Sequence, residues 1–198
     1  MFDVARFQSL RIDLGGWIGV PFECYETTDS TMDEAFAALS AGARAGHLVL
    51  AETQLAGRGA HGRSWVAAPG ENLTFSFLAP ASPWTTLAVG VGIARSIDAL
   101  FGEASAGGEG SGAEASRTRI KWPNDVLLGD GKVAGILVES RSSGSRPPKL
   151  VVVGVGLNVH QCTFPRPQRD SLPATSLATA GLNCAREKGL AQTSRHLE

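Results

Sequence analysis

The sequence predicts an α+β domain, a mixed β-sheet with helices packed on it. Short apolar stretches of strand length alternate with segments of helical period, which neither a helical bundle nor a repeat array would produce. Hydrophobic residues make up 43% of the 198 and charged residues 19%, enough for one sizeable core in a globular chain. The formal net charge of −1 gives no global pull toward nucleic acid or an anionic membrane. Any anion must therefore be bound by local charge.

The elements follow in order. Val20, Phe22 and Cys24 alternate with Pro21, Glu23 and Tyr25, the pattern of a half-buried strand. A helix then starts at Ser30, a good cap with Asp33 three residues on; Ala35, Phe36 and Leu39 give it an apolar face and Gly42 an end. "HLVLAE" (47–52) reads as a buried strand and "LTFSFLA" (73–79) as another. Residues 85–101 make a second helix, rich in small apolar residues and so buried over much of its surface. The stretch 102–117 is Gly-, Ala-, Ser- and Glu-rich and predicts an exposed flexible loop. "TRIKWPNDVLL" enters a strand, turns at 129–131 and returns through 132–140 as a hairpin. A buried strand over 149–159, a proline-rich segment and a short helix in "ATSLATAGL" complete the pattern. The N-terminus carries Asp3 and Asp13 and is no signal peptide, and no stretch reaches the roughly 18 apolar residues of a membrane helix. Cys24, Cys162 and Cys184 form no CxxC pair, which argues against a disulfide framework or structural zinc and fits a reducing cytoplasm.

Four motifs carry chemistry. "QLAGRGAHGRSW" (54–65) combines the fixed positive forks of Arg58 and Arg63 with Gly57, Gly59 and Gly62 and the flat face of Trp65. That mixture suits a phosphate-bearing ligand with an aromatic base, although a solvated glycine loop would read similarly. Its glycines match G-x-G-x-x-G, but a strand follows rather than a helix, so this is not a dinucleotide fingerprint. "KWPNDVLLGDGKVAG" sets Lys121 and Lys132 at the outer ends of a hairpin. Within it, Asp125 could hold a metal or orient a lysine, and Asn124 could read a base or phosphate. In "VVVGVGLNV", Gly154, Gly156 and Asn158 share one face of a strand, and Gly135 repeats the feature on the hairpin. A bare face of this kind takes either a closely packed helix or a flat ligand, and the repetition favours the ligand. "TTDST" (27–31) places hydroxyls at a helix N-terminus, suited to capping or to a polar ligand group. The histidines form no catalytic or metal pattern, and a metal would be magnesium arriving with a nucleotide.

Taken in this order, "DST", "AETQLAGRGAHGRSW", "KWPNDVLL", "GKVAGILVE" and "GVGLNV" resemble the biotin–protein ligase family over roughly Thr27 to Val159. The resemblance implies the class II aminoacyl-tRNA-synthetase-like fold of biotin and lipoate ligases, with a catalytic domain over 1–181 and a tail over 182–198. It implies activation of biotin by ATP and Mg2+ to biotinyl-AMP, then transfer to a lysine of a biotin carboxyl carrier domain. Ser30, Thr31, Gln54, Gly57 and Arg58 are expected on biotin or its carboxylate, above a surface formed by Gly135, Gly154 and Gly156. Lys132, with Arg58 and Lys121, is expected at the reacting groups. Arg63, Trp65, Lys121, Asn124, Asp125 and Asn158, again with Arg58, are expected on the nucleotide side, Asp125 also as a metal ligand. The expected setting is cytoplasmic, as monomer or homodimer, with neither nucleic acid nor membrane as partner.

Three departures stand out. Ala60 occupies a position where relatives commonly carry arginine, which implies a less tightly held adenylate. No helix-turn-helix pattern precedes the catalytic region, and no strand pattern for the family's small C-terminal barrel follows Val159. Competing expectations are a lipoate or octanoate transferase of the same fold and a non-catalytic binder of biotin or biotinyl-AMP.

Overall fold

The computed structural model describes residues 1–106, 118–141, 147–166 and 172–198. In chain order the elements are α1 (Val4–Asp13), β1 (Phe22–Thr28), α2 (Thr31–Ser40), β2 (Leu48–Gln54), β3 (Leu73–Pro80), α3 (Thr85–Ala106), β4 (Thr118–Lys121), β5 (Asp125–Leu128), β6 (Gly131–Glu139), β7 (Leu150–Leu157) and α4 (Arg186–His196). The strands form one sheet in the order β1-β2-β3-β7-β6-β5-β4. Among the strand pairs of the described residues, only β1–β2 is parallel. This is the mixed, helix-covered sheet that the alternating pattern predicts.

Period-two alternation sorts each strand between two faces. Leu48 and Leu50 of β2, Phe75 and Phe77 of β3 and Val151, Val153 and Val155 of β7 join one core with residues of α1, α3 and α4. The alternate positions Val49, Leu78 and Val152 pack against Met32, Ala35 and Phe36 of α2. Further along that second face, Gly154 and Gly156 of β7 lie beside Ser76 of β3 and Gly135 of β6 in the pairing register. The apolar cover therefore stops at α2, and the small residues begin where it stops.

Several sequence expectations need correction. "TRIKWPNDVLL" is two strands, because the chain turns at Trp122–Asn124 and β4 pairs back on β5. The second helix continues to Ala106, so 102–106 are helical and the rest of the expected loop lies outside the described residues. By length and composition α3 is apolar enough to cross a membrane, contrary to the sequence reading. In the fold it is a core helix, with Ile93, Ile97 and Leu100 buried against the sheet. "ATSLATAGL" forms no helix. Residues 173–175 run beside Lys132 and exchange backbone hydrogen bonds with it, and Ser176 then caps a turn through Thr179 N–H at 3.0 Å.

Two helices went unforeseen, α1 and α4. Phe2, just before α1, and Phe7 of α1 pack with Phe22, while α4 contributes Leu190 and Ala191 to the core. Arg186 of α4 donates to Glu52 of β2 at 2.6 and 3.0 Å, with 7% and 9% of the two side chains exposed. Burial alone would favour the neutral acid. The Arg186 hydrogen bonds and charge, aided by the Phe2 N–H, outweigh it and hold the Glu52 carboxyl below its ordinary value.

Candidate active site

The site is built on the small-residue face, between the start of α2 and the β4–β6 end of the sheet. The glycine- and arginine-rich motif over 54–65 forms a flap. Leu55 and Ala56 N–H donate to Thr28 and Asp29 carbonyls, anchoring the base beside α2. Above that, Trp65 N–H donates to Gly57 O at 2.9 Å and Gly59 N–H to Arg63 O at 2.7 Å, with Arg58 and Ser64 paired antiparallel between them. The rungs explain Gly57, where a Cβ would lie 2.5 Å from the Trp65 carbonyl oxygen. The flap tip is a single 3-10 turn over Ala60–Gly62, with His61 in the left-handed region at φ 59°.

The flap lays Trp65 across the glycine floor. A Cβ on Gly156 would sit 2.1 Å from Trp65 Cε2, and one on Gly135 2.9 Å from Cζ3. At Gly154 the corresponding neighbour is Met32 Sδ of α2, 2.6 Å away. The sequence posed a choice between helix and flat ligand over these glycines. In this structure a helix residue covers one of them and an indole the other two. Trp65 Nε1 is buried there without a hydrogen-bond partner.

Trp65 also divides the space into two cavities. The first, about 40 Å³ with the indole in place, is lined by Ser30, Thr31, Met32, Gln54, Arg58 and the three floor glycines among others. The second, about 220 Å³, is lined by Arg63, Val66, Lys121, Asp125, Asn158, Leu172 and Ala174 among others. Gly59, Ala60, Trp65, Asn124 and Lys132 line both.

Lys132 stands at the junction. Its Nζ lies 2.6 Å from Asp125 Oδ1 and 5.5 Å from the centre of the Trp65 ring. A register shift at Val126/Leu127 interrupts the β5–β6 pairing beside it. Its backbone is fixed on the other side by Pro173 O and Thr175 N–H, at 2.8 and 3.0 Å. Asn158 Nδ2 donates to Thr175 O at 2.9 Å, so part of its role is to hold that segment. Asn124 Nδ2 donates to Ile136 O at 3.2 Å, and Lys121 is exposed at the rim. Among the described residues no group of three His, Cys, Asp or Glu side chains could hold a metal by itself.

In the first cavity, Ser30 caps α2 through Met32 N–H at 3.3 Å. Gln54 Oε1 accepts from Thr31 N–H at 2.9 Å and Thr31 Oγ1 at 3.1 Å. Thr31 Oγ1 also lies 2.8 Å from Ser76 Oγ, so Ser76 supplies the proton of that bond. Sequence reading did not single out Ser76, although its small, polar character inside an otherwise apolar strand was the available signal. Arg58 lines the cavity, yet its Nη2 lies 3.1 Å from Asp33 Oδ1 and 3.6 Å from Glu139 Oε2. Glu139 closes β6 and Lys132 nearly opens it, so the guanidinium is engaged toward the far end of that strand from Lys132. Arg63 Nε donates to Ala60 O at 3.1 Å, and its side chain reaches only the second cavity.

Comparisons with known proteins bear on this arrangement. The model of the biotin/lipoate A/B protein ligase family matches residues 24–158. A biotin–[acetyl-CoA-carboxylase] ligase of Mycobacterium tuberculosis is 36% identical over 163 residues, covering 78% of this chain and 54% of that protein. One from Paracoccus denitrificans is 42% identical over 132 residues, covering 67% and 52%. The chain thus spans about half the length of these curated relatives. Among solved structures, the biotin protein ligase of Leishmania major in complex with biotin aligns with a TM-score of 0.70 at 25% identity, over 89% of this chain and 72% of that one. The Aquifex aeolicus enzyme in complex with biotin and ATP aligns with a TM-score of 0.65 at 25% identity, over 89% and 68%.

Proposed function

Because the chain belongs to the biotin/lipoate A/B protein ligase family, we propose that it is an ATP-dependent biotin–protein ligase. The observation that carries the reading is the junction. Two cavities meet at one lysine, Lys132, held by Asp125 beside the Trp65 ring. Joining a carboxylate to a phosphate requires two anions to approach, and a fixed cation where they meet lowers that barrier.

In this reading the first cavity takes biotin. Its rings take the place over Gly135 and Gly156, beside Gly154, that the Trp65 indole fills in this structure, with polar contacts from Ser30, Thr31 and Gln54 and from the backbone at Gly57 and Arg58. The second takes ATP, with Arg63, Lys121, Asn124 and Asn158 around it and Trp65 as the shared wall. A biotin carboxylate oxygen forms a bond to the α-phosphorus while the bond to pyrophosphate breaks. The amine of a carrier-domain lysine then attacks the acyl carbon, AMP leaves, and the nitrogen loses a proton as the amide forms. Asp125 is the carboxylate among the described residues lining the second cavity, and Lys132 already engages one of its oxygens. Magnesium would thus be held chiefly by the nucleotide's phosphates, with Asp125 as one protein ligand. The three cysteines are free, which supports a cytoplasmic setting.

Intact-mass analysis of a carrier domain after incubation with the protein, ATP, magnesium and biotin tests this directly. We expect the carrier to gain one biotin. Labelling by octanoate or lipoate instead would transfer the reading to the other branch of the family. Biotin bound with no pyrophosphate released would make the protein a binder.

A further inference from the structure

Resting on the biotin-ligase reading, we propose that Asp33 and Glu139 are positioning residues. They latch the flap over the bound acid by gripping Arg58. Arg58 sits between the rungs of the flap, paired with Ser64 and one residue from each of Gly57 and Gly59, whose backbones tie it together. Whatever fixes its side chain therefore fixes the flap, and with it Trp65, the wall between the cavities. Asp33 lies in the first turn of α2 and Glu139 at the end of β6, so the grip ties the flap to two separate elements.

Arg141 completes the arrangement. Its Nη2 lies 3.3 Å from Asp33 Oδ1, and its guanidinium stacks 4.0 Å from the Phe36 ring centre, which holds Asp33's other neighbour in place. The two arginines and two carboxylates of this cluster balance in formal charge. The competing assignment gives Arg58's charge to the ligand. The geometry favours the latch, since Glu139 ends the strand at whose start Lys132 lies, and the reacting carboxylate belongs beside Lys132. These pairs are partly exposed, and single exposed pairs contribute only up to about 1 kcal/mol. The expected effects are accordingly modest.

Biotin binding to the full chain should be measured by calorimetry, its release followed by tryptophan fluorescence, and the melting temperature recorded for each variant. Wild type is compared with Arg58→Met, the double variant Asp33→Asn/Glu139→Gln and the triple combination. The latch predicts roughly five- to tenfold weaker binding for Arg58→Met and for the double variant, expressed as faster release, with melting temperatures near wild type. The triple variant should bind no more weakly than Arg58→Met, because all three act through one contact set. Weakening by Arg58→Met with a wild-type-like double variant would overturn the proposal and give Arg58's charge to the ligand. Additive losses in the triple variant would also overturn it, as would lowered melting temperature with unchanged affinity. A wild type that binds no biotin would overturn the ligase reading, and this inference with it.

Discussion

Val155 and Gly156 are adjacent on β7, but they face different worlds. Val155 is 4% exposed in a core shared with α1, α3 and α4, where large apolar side chains fill the space. Gly156 points to the other face, where nothing larger than a hydrogen would leave room for the Trp65 ring. The same alternation separates Phe75 from Ser76 and Ile136 from Gly135. Here one face is filled by large apolar side chains and supplies stability, while the other, past the apolar cluster under α2, carries small residues covered by the flap. Beyond the part that α2 covers, a change at position n should therefore alter a different property from a change at n+1.

The largest effect that would sharpen this contrast lies on the filled face. Leu50→Ala should destabilise the fold by about 2–5 kcal/mol, read by urea denaturation, while biotin affinity of the folded fraction stays as in wild type. Equal losses of affinity would break the separation. Next comes the junction. Lys132→Ala should raise the adenylation barrier by at least about 2 kcal/mol, roughly a 30-fold loss in biotin-dependent pyrophosphate exchange. Circular dichroism would check that the variant is folded, since Asp125 loses its partner. Unimpaired exchange would remove Lys132 from its assigned role. Gly156→Ala introduces a methyl into the Trp65 ring, an overpacking of about 1–3 kcal/mol that moving the flap can relieve. Binding should weaken more than the melting temperature falls; the reverse would place Gly156 with the core.

The smallest effect concerns pH. Glu52 titrates below its ordinary value in the folded chain, because the Arg186 contacts prevail over burial. Its contribution to stability is therefore present above the ordinary carboxylate range and is lost as pH falls through the lowered folded value. Thermal melts of wild type should drop more steeply in that acidic window than those of Glu52→Gln. Parallel curves would show that the pair does not couple to protonation.

Much of the filled face was legible in the sequence because strands of the "LTFSFLA" and "VVVGVGL" kind display their period directly. The cap at Ser30 and the glycine floor were legible for the same reason, since they follow from local spacing. The α4 helix was not, because "REKGLAQTSRH" shows little apolar periodicity and becomes helical against α3 and α1 through tertiary packing. The turn at Trp122–Asn124 was signalled by Pro123 and Asn124, both turn residues, but carrying one strand through "TRIKWPNDVLL" passed over it. The site motifs named the glycines, Trp65 and Lys132, but not the partners of Arg58. Asp33 and Glu139 lie 25 and 81 residues from it along the chain, and one sequence carries no signal for such an encounter.

The two ends of the chain also meet. The Phe2 backbone N–H reaches Glu52 next to Arg186, α1 packs along α4, and the Glu198 side chain accepts from Ile18 N–H at 3.0 Å. All of this happens on the filled side of the sheet, with the flap and both cavities on the opposite side. Either terminus is consequently a suitable point for a fluorophore, an affinity handle or attachment to a sensor surface. A chain tethered there would turn the flap and both cavities away from the surface.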